Sequence, residues 1–187
     1  IEPKKLTVNL ITSDQRIANK VVKTFYWKCP IYKFISFVDL RNLSRDEYAE
    51  KLREGAITVW VDNDTQFGYG ALEAIACDNV LIGKVPDSTP EWMTNEDGSL
   101  NDCGLWTYDV NVIPDLLANV IGAWMQDNIP SELTKAMEDT RAKYTVEQWN
   151  NNVDTVINDV INEQIKSFES IKNSIQGKIT NETKEDK

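Results

Sequence analysis

The chain has 187 residues, enough for one domain with a sizeable core, and its 41% apolar and 27% charged residues are typical of a globular protein. Its 30 Asp and Glu outnumber its 20 Lys and Arg, and the net charge of −10 argues against a broad surface for nucleic acid or for an anionic membrane, while leaving room for a small basic site. The sequence has no histidine, which excludes a histidine base, a Ser-His-Asp triad and a histidine-rich metal site.

The three cysteines, Cys29, Cys77 and Cys103, are an odd number without close or CxxC spacing. They argue against a disulfide framework and a zinc site, and they predict a reducing, cytoplasmic location. No apolar run approaches the roughly 20 residues of a membrane span, so no transmembrane segment is predicted, and the start shows no signal-peptide pattern. Because the first residue is Ile1 rather than Met, we expect a fragment or a processed product.

Strands and helices alternate along residues 1–144. The apolar run 56–62 is typical of a strand buried on both faces, and Ser44 with Glu47 forms a capping box at the start of a helix. The alternation predicts an α/β fold with a Rossmann-like parallel sheet of about five to six strands, flanked by helices. The predicted strands are 4–12, 32–40, 56–62, 79–85 and 105–110, the predicted helices are 13–28, 44–55, 69–77, 113–127 and 131–144, and 86–104 is a predicted loop.

The pattern changes at Thr145, where apolar residues begin to recur at steps of three and four. This spacing predicts one long C-terminal helix, or two, over 145–176, packing on the sheet domain. A coiled-coil or partner-binding seam is the alternative. Residues 177–187 are polar and are predicted to form a flexible tail. The recurring residues are Val146, Trp149, Val153, Val156, Val160, Ile161, Ile165, Phe168, Ile171 and Ile175.

A candidate ligand site follows the third predicted strand. Ligands of open parallel sheets bind at the carboxyl ends of the strands, where the turns 12–16 and 62–70 and the loop 86–104 meet. Gly68 and Gly70 let the backbone approach a ligand, and the helix that follows presents its N-terminus to an anion. Glu73, one turn along, suits the hydroxyls of a ribose. A tight turn without a ligand, and a dipole-stabilising role for Glu73, are equally open interpretations.

Weaker candidates lie in the same predicted region. Asp62, Asp64 and Asp109 form a possible Mg²⁺ cluster, which we disfavour, and Lys84 suits either phosphate or solvent. Trp92 and Trp106 can stack on a sugar or a base, although packing of the loop onto the sheet is the favoured interpretation.

Residues 57–93, "ITVWVDNDTQFGYGALEAIACDNVLIGKVPDSTPEWM", resemble the donor-binding half of a GT-B glycosyltransferase of the retaining group called family 4. That family carries a stretch of the form E-G-F-G-x-P-x-x-E-A-M-A-C-G, followed later by G-x-P-E, which Thr89-Pro90-Glu91 resembles. The resemblance extends over most of 5–160 and is specific only in 64–93. The residues that match in register are Phe67, Gly68, Leu72, Glu73, Ala74, Ala76 and Cys77.

The resemblance implies a substrate-binding role for each matching position. Glu73 would bind the ribose of a nucleotide sugar, and the end of the second strand, at Arg41, would lie near the base. The donor would be a substrate, and neither a cofactor nor a metal is implied. The backbone of Phe67, Gly68, Tyr69 and Gly70 would meet the diphosphate or the sugar, Arg16 and Lys20 would neutralise the diphosphate, and Glu91 would supply a second carboxylate at the same mouth.

Three positions depart from the family pattern. Thr65 stands where the family has a carboxylate facing the transferred sugar, Gly70 where it has proline, and Asp78 where it has glycine. The loss at Thr65 leaves the catalytic residues unassigned and the enzymatic activity open. A GT-B enzyme also needs an N-terminal acceptor domain, which would come from a missing part of the chain or from a partner chain.

The leading hypothesis is a donor-binding domain of a glycosyltransferase that moves a sugar from a nucleoside diphosphate sugar to an acceptor hydroxyl. The alternative is a non-catalytic glycosyltransferase-like module used for assembly or protein interaction. A flavodoxin-like signalling or binding domain is the third interpretation, and it rests on the alternation of strands and helices alone.

Overall fold

The computed structural model describes residues 3–63 and 67–185, and the chain divides into two compact units, Ile1–Ala142 and Lys143–Lys187. The first unit is a parallel sheet flanked by helices, which confirms the predicted fold class. Its strands are β1 (Lys5–Thr12), β2 (Ser36–Asp39), β3 (Gly55–Val61), β4 (Val80–Lys84) and β5 (Leu105–Thr107). Its helices are α1 (Gln15–Lys28), α2 (Arg45–Glu54), α3 (Tyr69–Ala76), α4 (Ile113–Met125) and α5 (Ser131–Lys143), with short 3₁₀ helices at Pro30–Tyr32, Glu91–Met93 and Val110–Val112.

The strand order is β2-β1-β3-β4-β5, and every neighbouring pair is parallel. In register, Val8 of β1 lies opposite Phe37 of β2 on one side and Ile57 of β3 on the other. The chain therefore moves outward from β1 to β2 and then crosses back to β3, so the strand order reverses between β1 and β3. Sheets with this order bind ligands at the carboxyl ends of the strands, at that reversal.

Burial on both faces explains why β3 forms the centre of the sheet. All seven of its residues are buried, including Trp60 and Ile57. Helices α2 and α3 pack against β1, β3 and β4, while α1 packs against α4. Because crossovers between parallel strands are right-handed, α1 and α4 cover one face of the sheet and α2 and α3 the other.

Two predicted strands are shorter than the sequence indicated. The strand predicted at 32–40 covers only Ser36–Asp39, because Pro30 starts a 3₁₀ helix that brings the ring of Tyr32 onto Phe25, with ring centroids 6.2 Å apart. The strand predicted at 105–110 stops at Thr107, because the side chain of Asp109 accepts a hydrogen bond from the backbone N–H of Asn111 at 2.9 Å and starts another 3₁₀ turn.

A buried polar cluster joins the ends of α2 and α3. The Asn79 amide donates to the carbonyl oxygens of Leu52 at 2.7 Å and Cys77 at 3.2 Å, and its oxygen accepts from the Thr58 hydroxyl at 3.1 Å. The Lys4 ammonium donates to the carbonyl of Leu52 at 3.2 Å, and burial lowers the pKa of that ammonium. These side chains satisfy carbonyl groups that the helix ends leave without helical partners.

The second unit contains one helix, α6 (Val146–Glu185), which confirms the predicted long C-terminal helix. At 1.5 Å per residue it is about 60 Å long. The tail predicted at 177–187 is helical as far as Glu185, residues 186 and 187 lie outside the described part, and its flexibility stays a prediction. The packing of 145–176 on the sheet domain also stays a prediction. None of the described helices, α6 included, is long and apolar enough to cross a membrane.

Candidate functional site at the carboxyl edge of the sheet

The N-terminus of α3 is the centre of the candidate site. Gly68 precedes the helix in a left-handed conformation, with φ 72° and ψ 42°. Asp14 caps α1 and Ser44 caps α2 with their side chains, whereas among the described residues no side chain caps α3. The first turn of α3 therefore points N–H groups and the positive end of the helix dipole toward the sheet edge, as an anion site requires. Thr65, the position of the expected carboxylate, lies outside the described residues.

A cluster of three tryptophans packs against this turn. Trp60 of β3, Trp92 and Trp106 have ring centroids 5.9 to 6.5 Å apart. The Trp92 indole N–H donates to the carbonyl oxygen of Phe67 at 2.6 Å. Trp92 is buried and Trp106 is partly buried, so these rings pack the loop 86–104 onto the sheet, as the favoured interpretation expected, rather than standing open to a ligand.

The tryptophans also determine which residue fits at position 68. A Cβ atom on Gly68 would come within 3.1 Å of Cζ2 of Trp60 and 3.2 Å of Cζ2 of Trp92. Glycine is therefore favoured here for two reasons, the positive φ and the close approach of the rings.

Two exposed aromatic side chains flank the turn. Phe67 is 37% exposed and Tyr69 is 69% exposed, and their ring centroids lie 4.5 Å apart. A pair of aromatic faces beside a helix N-terminus offers apolar contact area to a ring-shaped ligand group.

Glu73 lies on the exposed side of α3, one turn from the N-terminus, where it meets Tyr48 of α2. Burial, and then the charge of Glu73 and a hydrogen bond to it, raise the pKa of the Tyr48 hydroxyl. That hydroxyl oxygen also lies 3.3 Å from the position that a Cβ on Gly70 would occupy, and Cγ2 of Ile11 lies 3.1 Å from the same position. Tyr48 therefore links the start of α3 to the Glu73 carboxylate. No local pattern in the sequence indicates this role, because the contact depends on how α2 lies beside α3.

The first strand-helix turn already contains a carboxylate. Oδ1 of Asp14 accepts from the backbone N–H of Arg16 at 2.8 Å, and Oδ2 pairs with the Arg16 guanidinium at 2.9 Å. These hydrogen bonds hold the pKa of Asp14 below its usual value. Arg16, a predicted diphosphate ligand, thus lies at the expected edge but is paired with its own helix cap. Lys20, one turn further along α1, is exposed.

Arg41 lies at the carboxyl end of β2, as predicted, and is held there by two neighbours. Its Nε donates to Oδ1 of Asp39 at 2.9 Å, and its Nη2 contacts Oδ2 of Asp39 and Oε1 of Gln15. The hydrogen bonds from Arg41 hold the pKa of Asp39 below its usual value. Arg41 therefore joins β2 to the first residue of α1 and is only partly exposed.

The remaining candidates occupy the other half of the edge. Lys84, at the end of β4, donates to Oδ1 of Asn63 at 2.6 Å, and Glu91 is exposed at the start of the 3₁₀ helix that buries Trp92. Asp109 caps the 3₁₀ turn at Val110–Val112. Within residues 3–63 and 67–185, no three His, Cys, Asp or Glu side chains are grouped so that they could hold a metal ion.

The sheet order, the right-handed crossovers and the turn at its carboxyl edge define a Rossmann-like α/β domain. Among solved structures, GT-B glycosyltransferases share this fold. The crystal structure of the GtfA/B complex has a TM-score of 0.52 and 11% identity, covering 85% of this chain and 37% of that one. The crystal structure of TarM has a TM-score of 0.50 and 15% identity, covering 80% and 36%.

The pneumococcal O-GlcNAc transferase GtfA, in complex with UDP and GlcNAc, has a TM-score of 0.48 and 16% identity, covering 82% of this chain and 36% of that one. At these identities the likeness to the GtfA/B complex and to TarM shows the fold alone, which is that of part of a GT-B glycosyltransferase. The chain spans about a third of the length of these proteins. No protein-family model and no curated protein matches the sequence.

Proposed function

We propose that this chain binds a nucleoside diphosphate sugar at the carboxyl edge of its sheet, as the donor-binding part of a glycosyltransferase that acts on an acceptor hydroxyl. The observation that carries the proposal is the N-terminus of α3. It follows a left-handed Gly68 at the carboxyl edge of the sheet and has an exposed carboxylate, Glu73, one turn along. The resemblance of 64–93 to the donor-binding motif, and the shared GT-B fold, support the assignment.

The proposed chemistry divides among three groups of atoms. The N–H groups of α3 stabilise the diphosphate, both bound and as the leaving group. Glu73 accepts hydrogen bonds from the ribose, and the Tyr48 hydroxyl donates a hydrogen bond to the same carboxylate. Two cations, Arg16 and Lys20, are predicted to neutralise the diphosphate. Arg16 is paired with Asp14, whereas Lys20 makes no ion pair with a described residue, so Lys20 is the cation proposed for this role. Metal-free donor binding, with no cofactor, is part of the proposal.

The proposal extends to what lies beyond this chain. The acceptor site and the other wall of the cleft would come from an N-terminal domain or from a partner chain.

The free cysteines, of which Cys103 is buried, are consistent with a cytoplasmic location. UDP is the first nucleotide to test, and GDP the second.

Calorimetric titration with UDP, GDP and their sugars tests the proposal. We expect saturable binding that falls about 10- to 100-fold in Glu73→Ala, because hydrogen bonds to a charged group are worth about 1.5–3 kcal/mol. Glu132→Ala is the matched control, since Glu132 is an exposed carboxylate in the first turn of α5. Absence of binding by every nucleotide at millimolar concentration, or equal losses in both variants, would refute the proposal.

A second candidate, the non-catalytic assembly module, is favoured by one observation. Apolar side chains along α6, including Val156, Val160 and Phe168, are at least half exposed. If the chain binds no nucleotide but self-associates in light scattering, and Val160→Asp with Phe168→Asp abolishes the association, this candidate replaces the first.

A further inference from the structure

One segment of this acidic chain is strongly basic. Between Gln15 and Val38 there are five cations and no Asp or Glu, so the remaining residues share 15 of the 20 cations and all 30 carboxylates. Lys28 is paired with Asp115 at 2.7 Å, while Lys23 and Lys33 are exposed and make no ion pair with any described residue. A local positive surface therefore remains despite the net charge of −10.

The same segment presents large apolar side chains to solvent. Trp27 is 81% exposed, Ile31 78% and Phe34 60%. Their neighbours in sequence do the opposite, because Phe25 and Ile35 are fully buried. The chain thus alternates between residues that anchor the segment in the core and residues that project outward. Exposed apolar side chains in such a concentration usually mark a contact surface.

The location separates this surface from the proposed donor site. Helix α1 runs from the carboxyl end of β1 back to the start of β2, so its last turn and the residues up to Ser36 lie at the amino edge of the sheet. Lys23 and Trp27 are four residues apart and share the exposed face of α1. We call residues 23–34 the basic-aromatic segment.

We propose that the basic-aromatic segment binds the surface of an anionic membrane, with Trp27, Ile31 and Phe34 entering the headgroup region and Lys23 and Lys33 contacting anionic lipid headgroups. Tryptophan with aliphatic and phenylalanine side chains, bordered by lysines, is the combination that interfacial segments use. A nucleic acid would find too few free cations here, and Ile31 offers no stacking face. Because salt screens charges beyond about 8 Å, the acidic remainder of the chain does not cancel these lysines at contact.

Sedimentation with sucrose-loaded vesicles, using the full chain, tests this proposal. We expect binding to vesicles of phosphatidylcholine with phosphatidylglycerol, and little binding to phosphatidylcholine alone. Lys23→Gln with Lys33→Gln should weaken binding about 25-fold, at about fivefold per lysine. Trp27→Ser with Ile31→Ser and Phe34→Ser should weaken it about a hundredfold, because the inserted apolar area is lost. High salt should weaken binding of the wild type.

Two matched variants serve as controls. Lys135→Gln with Lys166→Gln removes two exposed lysines elsewhere, and Val156→Ser with Phe168→Ser removes exposed apolar groups of α6. Neither should change vesicle binding. Circular dichroism verifies folding, and if the triple serine variant unfolds, Trp27→Ser alone, at the most exposed of the three positions, should still lose about fivefold.

Failure to bind anionic vesicles, equal binding to neutral ones, or a loss confined to the α6 variant would overturn the proposal. The test involves no nucleotide, so its outcome is independent of the proposed function.

Discussion

Gly68→Ala is the substitution that tests how the candidate site is built. The structure gives two reasons for glycine at this position, a backbone φ of 72° and the approach of Trp60 and Trp92. Gly98 provides a matched control, because its φ is 82° but nothing lies within 4 Å of an added Cβ. The difference between Gly68→Ala and Gly98→Ala therefore isolates the contact with the tryptophans.

The expected magnitudes follow from three contributions to the free energy of unfolding. A left-handed alanine costs about 1–2 kcal/mol, which the reduced freedom of the unfolded chain offsets by about 0.4–1 kcal/mol. Gly98→Ala should therefore destabilise the protein by no more than about 1.6 kcal/mol. At Gly68 the methyl group also meets indole carbons at 3.1 and 3.2 Å. Overpacking of this kind adds about 1–3 kcal/mol, for a total of about 1–4.6 kcal/mol.

Urea denaturation of both variants, followed by tryptophan fluorescence, measures the difference. We expect Gly68→Ala to be less stable than Gly98→Ala by about 1–3 kcal/mol, with unchanged m-values. Equal losses in the two variants would refute the reasoning, because the tryptophan cluster would then exert no steric demand on the turn. If nucleotide binding is established, Gly68→Ala should also weaken it, whereas Gly98→Ala should not.

Trp92→Phe removes the hydrogen bond to the Phe67 carbonyl and should lower the free energy of unfolding in urea by about 1 kcal/mol, and an unchanged midpoint would contradict this. Asn79→Ala should cost about 3 kcal/mol or more in the same assay, because several buried groups lose their partner together. Tyr48→Phe should change the alkaline stability profile. The pKa of Tyr48 is raised by burial and then by Glu73, so its contribution is complete below the unfolded pKa of about 10 and is lost as pH rises through the folded pKa. Melting curves above pH ~10 should therefore fall more steeply for the wild type than for Tyr48→Phe, and parallel curves would contradict this.

Local signals explain which parts of the fold could be predicted from the sequence. The capping box predicted at the start of α2 forms, with the backbone N–H of Ser44 donating to Oε2 of Glu47 at 2.9 Å. The apolar run that became β3 is buried throughout. By contrast, the late start of β2 depends on Tyr32 stacking on Phe25, a tertiary contact that no local pattern contains.

The candidate site likewise has features that local sequence patterns predict and features that depend on tertiary contacts. A glycine turn before a helix is a local signal, and Gly68 adopts the left-handed conformation that such a turn uses. The partners of this turn are distant in sequence. Trp92 reaches Phe67 across 25 residues, and Arg16 is paired with Asp14 although the family resemblance made it a candidate for binding the diphosphate. Residue type and spacing thus indicate where a ligand would bind, but they do not show which charges are already paired.

Gly70 shows how a departure from a family pattern can follow from packing. The resembling family has proline at this position, where its ring suits the first turn of a helix. Here a Cβ alone would come within 3.1 Å of Ile11 and 3.3 Å of the Tyr48 hydroxyl, so both side chains would have to shift to admit a proline ring. The same hydroxyl interacts with the carboxylate of Glu73. Glycine at position 70 therefore leaves room for the Tyr48 hydroxyl beside the Glu73 carboxylate. The absence of proline is thus explained by packing and is no evidence against a ligand at this edge.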